Sequence, residues 1–356
     1  MMFILLVFSG RMYVFGQAVS GSMDTDIMLM RQNGAPAFNC QFDSYTRFVP
    51  GVGVLGLKLC GLKCSELKGM TSWGNFAVSS AFSAVIMASV TEGLKYGVKR
   101  TRPDLSADNS FPSGHAATSF MLATILHKEY GQKFPWISFI GYGTAALSSA
   151  GRILNNKHWM SDVVTGAAIG IGSVHLGYYL SSLIFKDKAY QSDWQAVPIM
   201  IDPMHRYWGL DLTCGRRFIL ADKSLIDSSQ VPLRSSVVAA ELFAPVHPRF
   251  GLLANLGCSS MTCENANSFN AYNASVGMSY NLPFARVMEF QTKAALGYAW
   301  HKMAKGLDVQ AGASLAVLAG NNFKIKAFAQ YELMPCSSSL PYVNSVVLGW
   351  STGFCW

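Results

Sequence analysis

Charge is what this 356-residue chain has least of. Asp, Glu, Lys and Arg together make up 13% of it, about half the usual share in soluble globular proteins. Hydrophobic residues reach 51%, and that imbalance points to lipid contact rather than the cytosol. Acidic groups are the scarcer sign, 20 against 28 basic, which leaves a formal charge of +8. Such a balance favours anionic partners, phosphate groups and acidic membrane surfaces among them. A long run of Lys and Arg interleaved with aromatics is missing, so the charge is too diffuse to argue for nucleic acid. Eight cysteines form no zinc pattern, and no carboxylate cluster suits a metal. Cys258 and Cys263 could bridge a loop in an oxidising compartment or could simply be buried; spacing alone does not decide pairing. His127, His175, His205, His247 and His301 lack acidic or cysteine partners at ligand spacing and read as structural or solvent-facing.

The start of the chain has little charge too. Met1 to Phe8 is almost wholly apolar, and Gly16-Gln17-Ala18 offers small residues of the kind a signal peptidase reads. The basic n-region is absent, since Arg11 follows the apolar stretch. A leader over residues 1–18 is expected, with an uncleaved anchor or a misassigned start as the alternative.

Beyond the leader, two periodicities divide the chain, and they predict a two-domain, α then β architecture. A helical domain is expected over 19–190 and a β domain over 200–356. Helices are expected at Phe76 to Val90, His115 to His127, Trp136 to Ala150 and Trp159 to Phe185. Thr165 to Phe185 reaches the roughly 20 residues needed to cross a bilayer. Gly166 and Gly170 fit a small-xxx-small packing face there. The Gly-rich stretch Phe48 to Cys60 is too short to span. The other helices suit a compact bundle resting on or partly in a membrane.

After Lys186 the period becomes two. In Leu307 to Val317, six apolar residues alternate with Asp308, Gln310, Gly312 and Ser314. Phe323 to Leu333, Met288 to Trp300 and Tyr272 to Leu282 alternate likewise. Weaker versions lie at Trp208 to Cys214, Val238 to Val246 and Phe250 to Cys258, and a last run ends at Trp356. Eight antiparallel strands of about ten residues equal the smallest even number found in closed outer-membrane barrels. A soluble β-sandwich also alternates, but a polar face so rich in Gly and Ser favours an eight-stranded barrel.

Three short blocks on the helical half carry chemistry. Lys95, Lys99 and Arg102 fall at i, i+4 and i+7, one face of a helix, and Pro103 restricts the residue before it. Alone, this is a basic helix end beside lipid headgroups. Pro112-Ser113-Gly114-His115 puts a capping Ser and a Gly where backbone N–H groups can face an anion. Arg152, five residues, His158, three residues, Asp162 places the last two at i, i+4, where their side chains can meet. A carboxylate bonded to one imidazole nitrogen would fix the tautomer and leave the other free to attack.

In this order and spacing the blocks resemble the signature of the type 2 phosphatidic acid phosphatase superfamily, which also includes vanadium haloperoxidases. That signature is Lys-x6-Arg-Pro, Pro-Ser-Gly-His and Ser-Arg-x5-His-x3-Asp. The one departure is Gly151 where the family has Ser, which touches fine positioning. The resemblance covers roughly Phe48 to Phe185 and leaves out the β half. It implies an all-α bundle in which Lys95, Arg102, Ser113, Gly114 and Arg152 hold a phosphate group. His158 would attack phosphorus, Asp162 would orient it, and His115 would serve the leaving oxygen. No cofactor and no metal is implied, and the partners are a phosphorylated lipid and a membrane. The expected function is an envelope lipid phosphatase working through a phosphohistidine. Family substrates include lipid A phosphates, undecaprenyl diphosphate, phosphatidylglycerol phosphate and phosphatidic acid. The alternatives are a vanadate-dependent haloperoxidase and a non-catalytic barrel or anchor protein. A barrel places the chain in the outer membrane with its catalytic domain in the periplasm, whereas the apolar helix ending at Phe185 would also suit the inner membrane.

Overall fold

The computed structural model describes residues 12–36, 39, 41–62, 70–131, 134–185, 208–220, 234–262, 268–285, 287–318, 323–335 and 342–355. The expected leader falls largely outside them, as do Cys263 and Trp356. Among the described residues, seven α-helices precede eight strands. They are α1 (Met12–Gly34), α2 (Asp43–Thr46), α3 (Val49–Leu59), α4 (Met70–Val98), α5 (Gly114–Leu126), α6 (Pro135–Leu154) and α7 (Met160–Phe185). The chain divides into two units: Ala37–Val197, and Pro198–Trp356 together with the segment that ends at Pro36.

In the helical unit, α5 is the central element. Ala116 and Ala117 on it are fully buried, and Met121 and Ile125 join Val54, Phe76, Val174 and Tyr178 in the core. Helix α7 packs on α5 at close range because two glycines face it. A Cβ on Gly166 would lie 2.4 Å from the Ser113 carbonyl oxygen, and one on Gly170 would lie 2.3 Å from that of Ala117. Any side chain there would push the backbones apart, so the small-residue face expected at Gly166 and Gly170 is the α5 contact.

The stretch Phe48–Cys60, too short to span as expected, contains the 11-residue helix α3, whose Val54 enters the core. One sequence expectation fell short here. Helix α4 runs 29 residues, well past the expected Val90, because Glu92 and Lys95 stay on the helix after the uncharged stretch ends. Its part Trp73–Val98, like Met160–Phe185, is long and apolar enough to cross a membrane.

The β half is a closed antiparallel barrel in the order β1 to β8. The strands are β1 (Gly209–Ile219), β2 (Arg234–His247), β3 (Phe250–Thr262), β4 (Ser268–Ala285), β5 (Met288–His301), β6 (Lys305–Leu318), β7 (Phe323–Pro335) and β8 (Tyr342–Cys355). Each coincides with a run of alternation in the sequence. Closure runs from Gly209↔Cys355 to Ile219↔Ser345. The barrel is inverted relative to a soluble fold. Outward positions are apolar, with Val276 68% and Leu256 66% exposed, while Glu289, Asp308 and Glu332 inside are 2% exposed or less. A sandwich with an apolar interior is therefore excluded.

Buried charge inside the barrel is compensated in pairs, as low-dielectric surroundings require. Arg217 donates to Glu332 through Nε at 3.0 Å and Nη2 at 2.5 Å. Lys293 bonds Glu241 at 2.6 Å, Lys324 lies 3.6 Å from Glu289, and Lys326 pairs with Asp211.

Helix α1 belongs to this unit, so residues 19–36 leave the helical domain in which the sequence placed them. The reason is a polar row on the outward face of the barrel. Arg216, Ser236, Ser260 and Asn270 are successive cross-strand partners on a face that is otherwise largely apolar. Helix α1 covers the row: Ser236 donates to Asp26 at 2.7 Å, Asn270 to the Met30 carbonyl at 2.8 Å, and Asp24 and Asp26 are both buried. Cys258, on the same outward face of β3, has no disulfide partner among the described residues.

Two outcomes follow. Gly170→Val should destabilise the helical unit by about 1–3 kcal/mol or more through overpacking, lowering its thermal midpoint while the barrel's midpoint stays put. Glu332→Leu strands the buried Arg217 cation and should cost about 3–5 kcal/mol in urea titrations followed by tryptophan fluorescence. The double variant with Arg217→Leu should recover most of that loss.

Candidate active site

The site is assembled around one carboxylate. Asp162, in the first turn of α7, is fully buried. Its Oδ1 accepts from Arg100 Nη1 at 2.8 Å. Its Oδ2 accepts the Ser110 hydroxyl and the Trp159 N–H, the latter at 3.0 Å. Its backbone carbonyl accepts the Ser113 N–H at 3.0 Å. One residue thereby ties together the loop after α4, the start of α5 and the start of α7, which carry the three sequence blocks.

His158 departs from expectation in an informative way. Its Nδ1 lies 3.9 Å from Asp162 Oδ2, too far for a hydrogen bond, and 2.7 Å from the Ser110 carbonyl oxygen. A carbonyl only accepts, so Nδ1 carries a proton, and in the neutral ring the lone pair is on Nε2. The tautomer is set by backbone, and Asp162 acts through Ser110, whose hydroxyl it holds. The i, i+4 spacing put the two side chains near each other but could not show that Ser110 stands between them.

The expected basic helix face does not form. Helix α4 ends at Val98, and Lys99 is left-handed with φ 47°. The loop that follows is laced to the segment before α7. Asp104 N–H bonds the Asn156 carbonyl at 3.1 Å, Lys157 bonds Asp104 at 2.6 Å, and Trp159 Nε1 donates to the Thr101 carbonyl at 2.9 Å. Burial alone would raise the Asp104 carboxyl, but Lys157 and Ser106 bring it down to about 2. Arg102 lies in this loop, bonded through its backbone N–H to Ala107. Lys95 stays on α4, bonded to Glu92 at 2.8 Å, with Nζ 3.4 Å from the position of a Cβ on Gly114. Ser113 is the N-cap of α5, with its hydroxyl 3.4 Å from the Ala116 N–H. That side chain serves the helix end, which leaves the neighbouring backbone to face an anion.

His115 faces His158 and a set of cations. Arg47 Nη1 lies 3.1 Å from its Nε2. Burial first, then Arg152, Arg47 and His158, outweigh Asp43 and pull the imidazole down to about 3. Arg152 is held by Asp43 at 3.0 Å, with Asn155 on the same oxygen at 3.1 Å. Burial raises the Asp43 carboxyl, yet these partners hold it below its ordinary value. Arg47, Arg102 and Arg152 each keep a buried Nε–H without a hydrogen-bond partner among the described residues. Guanidinium groups with donors to spare fit an anion with several oxygens. No group of three or more His, Cys, Asp or Glu side chains with metal-ligand geometry occurs among the described residues.

Sequence reasoning thus named His115, His158, Asp162, Lys95, Arg102, Ser113, Gly114 and Arg152. It missed Arg47, Asp43, Arg100 and Ser110. Arg100 sits inside the first block but off its presumed helical face. Asp43 and Arg47, at i, i+4, lie more than a hundred residues before Arg152 and carry no local signal.

Residues 75–186 match the family model for the PAP2 superfamily. The chain is also similar to the lipid A 1-phosphatase of Porphyromonas gingivalis, at 42% identity over 166 residues. That alignment covers 47% of this chain and 36% of the relative, so the chain spans about a third of its length. Among solved structures, the chain is similar to Aquifex aeolicus LpxE, at 23% identity over 43% of this chain and 94% of that one, with a TM-score of 0.32. Neisserial surface protein A is similar at 9% identity over 42% of this chain and 95% of that one, with a TM-score of 0.33.

In an imidazole NMR titration, His115 should remain neutral at pH 6, where a free histidine is largely protonated, and should titrate near pH 3. Its folded value lies below the ordinary 6.5, so the unfolded chain takes up the proton first. The stability this group contributes is complete above about pH 6.5 and declines as pH falls toward 3.

Proposed function

We propose that this chain is an envelope phosphatase that cleaves a phosphate group from a lipid through a phosphohistidine. The observation that carries the reading is the His158 tautomer: Nδ1–H bonds the Ser110 carbonyl at 2.7 Å, so in the neutral ring the lone pair lies on Nε2, while Arg152 and His158 both act on the charge of His115.

Phosphoryl transfer demands in-line positioning and neutralisation of the equatorial oxygens. Lys95, Arg102 and Arg152 supply fixed positive charge, and the backbone N–H groups at Gly114 add donors at a helix start. His158 Nε2 attacks phosphorus as the bond to the lipid oxygen breaks. His115 gives that oxygen a proton and then takes one from the water that releases phosphate. Asp162 holds Ser110 and, through it, the ring that attacks.

The inverted barrel supports an outer-membrane location with the catalytic half in the periplasm. The named activity of the P. gingivalis relative supports a lipid A phosphate as substrate. A porin-like role is disfavoured by ion pairs such as Arg217–Glu332 and Lys326–Asp211, which occupy the barrel interior.

Purified protein should release phosphate from lipid A in a panel that includes undecaprenyl diphosphate, phosphatidylglycerol phosphate and phosphatidic acid. His158→Ala should reduce that release at least about a thousandfold. Retained turnover in the variant would refute the mechanism. Bromide oxidation that depends on added vanadate would favour the haloperoxidase alternative, and recovery in the inner-membrane fraction would refute the outer-membrane location.

A further inference from the structure

The short segment that begins at α2 sends two side chains into the site, and neither belongs to a sequence block. Asp43 clamps Arg152 at 3.0 Å, and four residues later Arg47 reaches His115 at 3.1 Å. The Arg47 guanidinium packs over the Phe48 ring at 4.4 Å, and its Nε–H is buried without a hydrogen-bond partner among the described residues. A guanidinium cannot accept, so it donates to His115 Nε2, and the neutral ring carries its proton on Nδ1. That bond occupies the lone pair through which His115 would exchange protons at the reaction centre.

We propose that Arg47 is a further anion-binding residue of this site, one that exchanges its hydrogen bond with His115 for a phosphate oxygen of the substrate and so frees the imidazole for proton transfer. The proposal rests on the phosphatase reading above. A guanidinium bonds a phosphate oxygen far more strongly than a neutral imidazole, since both partners are then charged. The exchange also changes the field on His115. The groups facing it are Arg47 after α2, Arg152 on α6, His158 before α7 and Asp43 on α2. Three of these disfavour an imidazolium, and a bound phosphate neutralises the two arginines. Freed Nε2 then takes a proton from solvent. As the His158 Nε2–P bond forms and the P–O bond breaks, the electron pair stays on the lipid oxygen, which takes that proton and departs as an alcohol.

The test uses the full chain in detergent micelles with inorganic phosphate as probe. Arg47→Ala should weaken phosphate binding in calorimetry, and phosphate inhibition of turnover, by roughly tenfold or more, and should cut kcat/KM by about a hundredfold. Arg47→Lys, which keeps the charge but not the fork, should recover part of the phosphate affinity. With one cation gone, the limb of the kcat/KM profile governed by His115 should move to higher pH. Unchanged phosphate affinity with an unmoved limb would overturn the proposal and leave Arg47 a structural residue, even if Arg47→Ala lowers the thermal midpoint. Wild-type protein that binds phosphate in an Arg47-dependent way yet releases none from any lipid would uphold the anion site while sinking the phosphatase reading.

Discussion

A single buried carboxylate governs the geometry of the helical half. Asp162 has no exposed surface, and a lone charge at such depth is prohibitive unless every oxygen is met. Arg100, Ser110 and the Trp159 N–H meet them, and each partner comes from a segment that must be in place for the others to reach. The long loop between α4 and α5 has no regular structure of its own. Its path is fixed because departing from it would expose Asp162 or leave it unpaired. The orientation of His158 is a by-product: once Ser110 is bound by its hydroxyl, its carbonyl points at the imidazole.

Around this anchor the cations are arranged with their valences partly unspent. Arg152 gives one nitrogen to Asp43 and Arg47 gives one to His115, but both keep a buried donor in reserve, as does Arg102. Proteins seldom tolerate that at a purely structural site. Burial, joined by the same excess positive charge, keeps His115 neutral. The helical half therefore concentrates cations with spare donors, whereas the barrel pairs charges off inside its wall. The first arrangement is suited to receiving an anion and the second to closing a lumen.

Much of this was legible in the residues themselves. The strands could be read one by one because a wall apolar outside and polar inside imposes strict alternation, as at Leu307, Val309, Ala311 and Ala313 against Asp308, Gln310 and Gly312. The three sequence blocks were legible because their spacing is local, within a few turns of helix or one loop. What escaped was whatever depends on distant backbone. The Ser110 carbonyl leaves no mark in side-chain patterns, and Arg47 and Asp43 meet their partners only after the fold is complete. The length of α4 was underestimated because charged residues at its end resemble a boundary. Helix α1 was assigned to the wrong unit because its partners, Ser236 and Asn270, lie more than two hundred residues away.

That last pairing makes the barrel's unit discontinuous along the chain, with the phosphatase-like half inserted between α1 and β1. Asp26 and Ser236 are separated by 210 positions, so α1 emerges from synthesis long before the wall it covers exists. Loop closure across such a distance comes late in assembly, and until then two acidic side chains and an outward polar row are left to solvent. The helical half is continuous in sequence with the barrel's unit on both sides. Its gain or loss in a lineage would be a cassette event that spares the barrel's strand order, with residues 36 and 198 as the seams.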